Sequence, residues 1–144
     1  LIMSRDMFLR FILPRIKKLV DMAHLHDVKV MFHSCGAIFD LITDIIDAGV
    51  DILDPIQVSA KGMEPELLKQ KYGDTICMHG AIDTQYLLPQ GSPEDVSCAV
   101  LKMVGILGEG GGYILSPSHV LQSDVPTENI FALYKTGRET AKIR

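Results

Sequence analysis

Four short apolar runs, each flowing into a polar cluster and each separated from the next by a segment of helical periodicity, most constrain how this chain can fold. The runs are Val28 to Phe32 leading into His33-Ser34-Cys35-Gly36, and Val50 to Leu53 leading into Asp54-Pro55-Ile56-Gln57. They continue with Thr75 to Met78 leading into His79-Gly80, and Tyr113 to Leu115 leading into Ser116-Pro117-Ser118-His119. Strands alternating with helices pair in parallel through right-handed crossovers, which predicts an α/β fold with parallel strands.

The intervening segments carry the matching helix signals. Ser4 is an expected N-cap, and Phe8, Phe11, Ile12, Ile16, Leu19, Val20 and Ala23 share one helical face, with Pro14 expected to kink or restart the helix. Ile38, Leu41, Ile42, Ile45 and Ile46 recur at helical spacing until Ala48-Gly49, and Glu64 to Tyr72 ends at Gly73-Asp74. Ser92-Pro93-Glu94-Asp95 combines an N-cap serine, proline at the first helical position and early acids, starting a helix that reaches about Leu107. A last helix is expected from Pro126 to the C-terminus with Ile130, Leu133 and Tyr134 inward.

In parallel α/β folds ligands bind at the C-terminal ends of the strands. The polar clusters therefore share one rim: His33, Cys35, Asp54, Gln57, His79, Asp83, Ser116 and His119. His33 and Cys35, two apart at a strand end, point the same way. A histidine beside a thiol suits a soft metal or an activated thiolate. Asp54 is read as orienting a ligand or capping a turn, and Asp83 and Gln85 likewise. Cys77 lies one layer deeper as core filling, Cys98 packs within a helix, and His24 and His26 cap helix-terminal carbonyls. Gly108 to Gly112 follows a helix and precedes a strand, the reverse of a phosphate loop, and is read as a tight turn on the opposite rim.

Composition narrows the partners. Fourteen basic against eighteen acidic residues give a net charge of −4, without a basic cluster or aromatic ladder, so nucleic acid is not expected. No apolar run approaches the roughly 20 residues that span a bilayer, so no membrane segment is expected. Three cysteines without framework spacing, and no signal sequence, point to reduced thiols in the cytoplasm.

Three segments carry a family resemblance: HSCGAIFDLITDIIDAGVDILDPIQ (33–57), CMHGAIDTQYLLPQGSPEDV (77–96) and GGGYILSPSHVLQSDVPTENIFALY (110–134). They resemble the C-terminal half of the uroporphyrinogen decarboxylase superfamily, which also holds the methylcobamide:thiol (coenzyme M) methyltransferases. The resemblance implies a (β/α)8 TIM barrel of which this chain supplies strands five to eight and their helices. Residues 1–144 would then form a single partial domain, because a complete barrel takes about 250 residues. A half-barrel leaves sheet edges and apolar surface open, which implies a missing N-terminal half or a homodimer partner.

The superfamily's two chemistries imply different sites. In the methyltransferases a His-x-Cys pair and a distant cysteine bind zinc, and a thiol takes a methyl group from a corrinoid, often carried by a corrinoid protein. His33 and Cys35 match the pair. The third position falls near Ser116 to Ser118, where this chain has no cysteine, so His119, Cys77 or His79 takes that place or zinc is absent. In the decarboxylases a tetrapyrrole loses its acetate carboxyls without metal or cofactor, and the histidine of a late loop, matched by His119, contacts the substrate. The expectation is a methyltransferase with His33, Cys35 and His119 as metal ligands, His119 and Asp54 catalytic, and His79, Gln57, Ser116 and Ser118 contacting substrate. The alternatives are a decarboxylase of porphyrin biosynthesis and a non-catalytic half-barrel that pairs or binds.

Overall fold

The computed structural model describes residues 3–141. In chain order the elements are α1 (Arg5–Met7), a π-helical turn (Phe8–Ile12), α2 (Leu13–His24), β1 (Met31–His33), α3 (Phe39–Asp47) and β2 (Ile52–Ile56). There follow α4 (Pro65–Tyr72), β3 (Cys77–Ile82), α5 (Leu87–Gln90), α6 (Pro93–Leu107), β4 (Tyr113–Pro117) and α7 (Thr127–Ala141). The strands form one parallel sheet in the order β1-β2-β3-β4.

That order decides the architecture. Each crossover moves one strand in the same direction, and right-handed connections then put every helix on the same face of the sheet. An open doubly wound sheet reverses direction partway and covers both faces; this one does not. It is the arrangement of half a (β/α)8 barrel. Toward the helices Leu53 and Met78 pack in register against Ile42, Ile45, Leu68, Val96, Val100, Leu107 and Leu133, all buried. The other face carries Met31, Ile52 and Cys77 in one register row and Ile114 beyond; Met31 is 46% and Ile114 41% exposed. Among the described residues no layer covers this inner face.

Several boundaries differ from the sequence expectation. β1 starts at Met31 rather than Val28, whose side chain is exposed. β2 extends through Asp54 and Pro55, and β3 runs on past His79, so both residues lie within strands rather than beyond them. The short helix α5 was not expected; the Asp83 carboxylate caps it, accepting from the N–H groups of Gln85, Tyr86 and Leu87. Pro14 has no N–H for the preceding turn, and the helix meets it with the π-helical turn before restarting as α2. Phe11, Leu19 and Tyr134, expected inward, are exposed, and so is Cys98 on α6. The capping box at Ser92 forms as expected, with Asp95 bonding back to the Ser92 N–H.

Two polar clusters hold the scaffold. Asn129, buried on α7, donates to the carbonyls of Leu88 and Gly91, at 2.9 and 2.8 Å, and so staples α7 to the α5–α6 turn. On the N-terminal rim Asp51 accepts from Lys29, from the backbone N–H of Val30 and from His24, at 2.7 to 2.9 Å. His24 thus bonds a carboxylate across the chain instead of capping its own helix. Burial raises the Asp51 carboxyl's pKa, but the bonds from Lys29, Val30 and His24 and the Lys29 charge outweigh it and hold the group far below the usual carboxylate range.

Two stability predictions follow from these contacts. Asn129→Ala should cost about 1–3 kcal/mol in urea unfolding, since two buried carbonyls lose their donor. Asp51 stabilises while ionised, so its contribution is complete above its unfolded pKa of about 3.9 and is lost as pH falls below it. The stability gap between parent and Asp51→Asn, measured by urea unfolding at pH 7 and at pH 3, should narrow at the lower pH.

Candidate metal centre

The strand pairing brings the polar rim together. β1 pairs with β2 so that His33 stands beside Asp54, and β3 sets His79 on Asp54's other side. One Asp54 oxygen lies 2.6 Å from His33 Nδ1 and the other 2.6 Å from His79 Nδ1. An ionised carboxylate only accepts, so each ring donates its Nδ1–H. That leaves the lone pair of His33 on Nε2, which faces Cys35 Sγ at 3.3 Å. The carboxylate–histidine pair fixes the tautomer a metal ligand needs.

Cys35 reaches this place through a tight turn. Gly36 has φ +91°, a conformation open to glycine, and its N–H donates to Gln57 Oε1 at 2.8 Å. Ser34 N–H donates to the Asp54 carbonyl at 2.7 Å. From the far end of the sheet the loop after β4 delivers His119, whose ring stands edge-on to His33 with centroids 6.0 Å apart. The ligand atoms of His33, Cys35 and His119 all lie within 4.8 Å of one another.

This donor set fits zinc. Tetrahedral zinc takes nitrogen at about 2.0–2.1 Å and sulfur at about 2.3 Å, which places neighbouring ligand atoms about 3.5 Å apart, close to the His33–Cys35 separation. Three protein ligands with one position left open is the catalytic form of such a site. Cys77 and His79 stand outside the set: Cys77 is half-buried in β3, where burial raises its thiol pKa, and His79 meets Asp54 through Nδ1 without joining the three converging ligand atoms.

Partial burial, and next the nearby Asp54 carboxylate, push the Cys35 thiol up from its ordinary value. Unaided, it is held as a thiol, and a bound cation would reverse that balance. Cavities open on both sides of it. Cys35, Gln57, Thr84, Gln85, His119 and Gln122 line a polar one of about 340 Å³; an apolar one of about 480 Å³ lies between Cys35 and Phe8, Ile12, Ile38 and Leu41. His79 and Ser116 border a smaller cavity of about 270 Å³ with His33, Asp54 and His119. Ser118 is buried, and its hydroxyl donates to the Ile56 carbonyl at 2.9 Å. That bond ties the β4 exit to β2, and Ser118 also lines the two cavities that His119 borders. Gln85 lies beside Ser59, 3.4 Å from its hydroxyl. Thr84 and Gln122 were missed by the sequence reading; their positions just past β3 and β4 were the available signal.

The comparisons agree with this architecture. The uroporphyrinogen decarboxylase (URO-D) family model matches residues 1–140. The chain therefore belongs to the URO-D family. Uroporphyrinogen decarboxylase from Coxiella burnetii is 29% identical over 65 residues, covering 45% of this chain and 18% of that protein. The enzyme of that name from Trichodesmium erythraeum is 31% identical over 75 residues, covering 52% and 20%. Each match thus spans a fifth or less of the relative's length. A methyltransferase from Methanosarcina mazei superposes with TM-score 0.78 at 22% identity, over 96% of this chain and 38% of that one. This likeness supports the half-barrel fold. Among the described residues no helix is long and apolar enough to cross a membrane.

The Asp54 effect gives a direct test on metal-free protein. Because Asp54 and burial keep Cys35 protonated, its alkylation by iodoacetamide at pH 8 should be slower than that of N-acetylcysteine. Asp54→Asn should raise the rate at Cys35, followed by peptide mass spectrometry, as the thiolate fraction grows.

Proposed function

We propose that this chain is the metal-binding half of a corrinoid-dependent methyltransferase, which moves a methyl group between a corrinoid and a thiol-type nucleophile. The observation that carries the reading is the convergence of His33, Cys35 and His119, with His33 already locked in the ligating tautomer. Zinc held there supplies Lewis acidity that favours the thiolate of an acceptor thiol. The chain's own residues do the rest. Asp54 orients His33, Gln57 holds the Cys35-Gly36 turn, and the polar cavity with Gln85 and Gln122 receives the acceptor beside the ligands. As the sulfur–carbon bond forms, the cobalt–carbon bond breaks with its electron pair left on the corrinoid, and the thiol proton leaves to solvent.

The uncovered inner face of the sheet supports the partner reading: an N-terminal half-barrel, or a second copy of this chain, closes over Met31, Ile52 and Ile114. A corrinoid or its carrier protein then approaches the rim. Three free cysteines suit the reducing cytoplasm. A second reading, decarboxylation of a tetrapyrrole's acetate side chains, is favoured by the curated relatives and would use His119 at the substrate without metal.

Zinc content separates the two. The full chain purified under reducing conditions should hold about one zinc, and little in Cys35→Ala. No zinc in the parent, with metal added and thiols intact, would rule out the methyltransferase reading and leave the decarboxylase.

A further inference from the structure

We propose that His79 is a positioning residue for the metal-binding set, acting at one remove by holding the Asp54 carboxylate so that Asp54 can hold His33. The inference rests on the metal reading above and assigns a residue that the ligand set leaves outside it.

The three groups are bonded in the order His79–Asp54–His33, with Asp54 the least exposed and His33 the most. Side-chain exposure is 16% for Asp54, 21% for His79 and 54% for His33. An exposed imidazole hydrogen-bonded through one nitrogen to a carboxylate is only as fixed as that carboxylate. A carboxylate with one partner can still turn about its own bonds; one gripped at both oxygens cannot. With 2.6 Å contacts to each oxygen, His79 supplies the second grip, and it does so from the less exposed end. Bonds to an ionised acceptor are about twice as strong as neutral ones, which makes the grip effective.

The backbone gives a second, independent observation. Parallel pairing of β2 with β3 is in register at Leu53 and shifts before Ile56, so Asp54 and Pro55 together stand opposite the single residue His79. Directly after His79, Gly80 has φ +105° and Ala81 φ +73°, a positive φ that strains a non-glycine residue. A Cβ added at Gly80 would stand 3.1 Å from Pro55 Cβ and 3.2 Å from the Ile56 nitrogen, so the two strands approach closely here and leave a side chain little room. A regular ladder carries none of these costs. Bulges and strained residues gather where a side chain must be aimed, and the side chains aimed here are Asp54 and His79.

His79→Ala, His79→Asn, Asp54→Ala and the His79→Ala/Asp54→Ala double variant test this in the full chain. The asparagine amide places an N–H donor where Nδ1–H stood. Zinc affinity, measured by competition with a chromophoric chelator, should weaken about 10–100-fold in His79→Ala. It should recover to within a few-fold of the parent in His79→Asn. If His79 acts through Asp54, its removal in the Asp54→Ala background should cost little more. In metal-free protein, ring ¹⁵N shifts should report His33 as the Nδ1–H tautomer in the parent and as a mixture in His79→Ala. Parental zinc affinity and an unmixed tautomer in His79→Ala would overturn the proposal, as would a full additional loss in the double variant. Absence of zinc binding in the parent would instead sink the metal reading itself, a result that the tautomer measurement distinguishes from failure of the brace.

Discussion

The in-sequence parallel order of the four strands is the constraint from which the rest of the structure follows. Each crossover is right-handed and steps the same way, so every helix lands on one side and every strand ends on the same rim. The helical side becomes the core. The opposite side becomes a surface studded with Met31, Ile52, Cys77 and Ile114, residue types suited to a barrel's interior rather than to water. The rim collects the chemistry because side chains two apart on a strand share a face: His33 pairs with Asp54, His79 bonds Asp54 from β3, and Ser116 on β4 lies two residues beyond Ile114. The site and the uncovered face are thus consequences of one topological fact.

Within the rim, electrostatics decide which cysteine and which histidines matter. Cys35 is the thiol that meets both a histidine nitrogen and an open cavity, while Cys77 sits deeper in its strand and Cys98 lies on an outer helix. Asp54 raises the Cys35 pKa and at the same time orients the ring beside it. These effects oppose one another in the metal-free protein and cooperate once a cation is present, because the cation neutralises the repulsion and uses the orientation.

The sequence made the alternation of elements legible because apolar periodicity reports burial, and burial is nearly all that helix and strand cores require. His33-x-Cys35 could be placed at a strand end for the same reason. The strand limits could not, since Pro55 and Gly80 ordinarily argue for strand ends, and here both lie inside strands at the place where the ladder is irregular. Nor could the pairing of Asp54 with His79: residues 25 apart become neighbours only through register. Tyr134 and Leu19 keep the periodicity of a buried face but are exposed, because periodicity identifies an apolar stripe and says nothing of whether the chain itself covers it. Asn129 shows the converse, a polar residue in the core because two carbonyls at the α5–α6 turn need a donor.

Asp51, just before β2, and Asp54, within it, are two aspartates three residues apart whose surroundings differ. Asp51, on the N-terminal rim, is met by a lysine, a backbone N–H and a histidine, a set that fixes β1 against β2 and the end of α2 above them. Its partners are donors, and none of them presents a nitrogen to a thiol. Asp54 is met by two imidazoles, and the ring it holds presents its remaining nitrogen to a thiol at the edge of a cavity. A purely structural carboxylate has no use for that outward nitrogen or for the strained backbone beside it. Similar carboxylate–histidine contacts therefore hold the backbone at one end of the strand and, at the other, orient the His33 ring toward the Cys35 thiol where we propose the metal site.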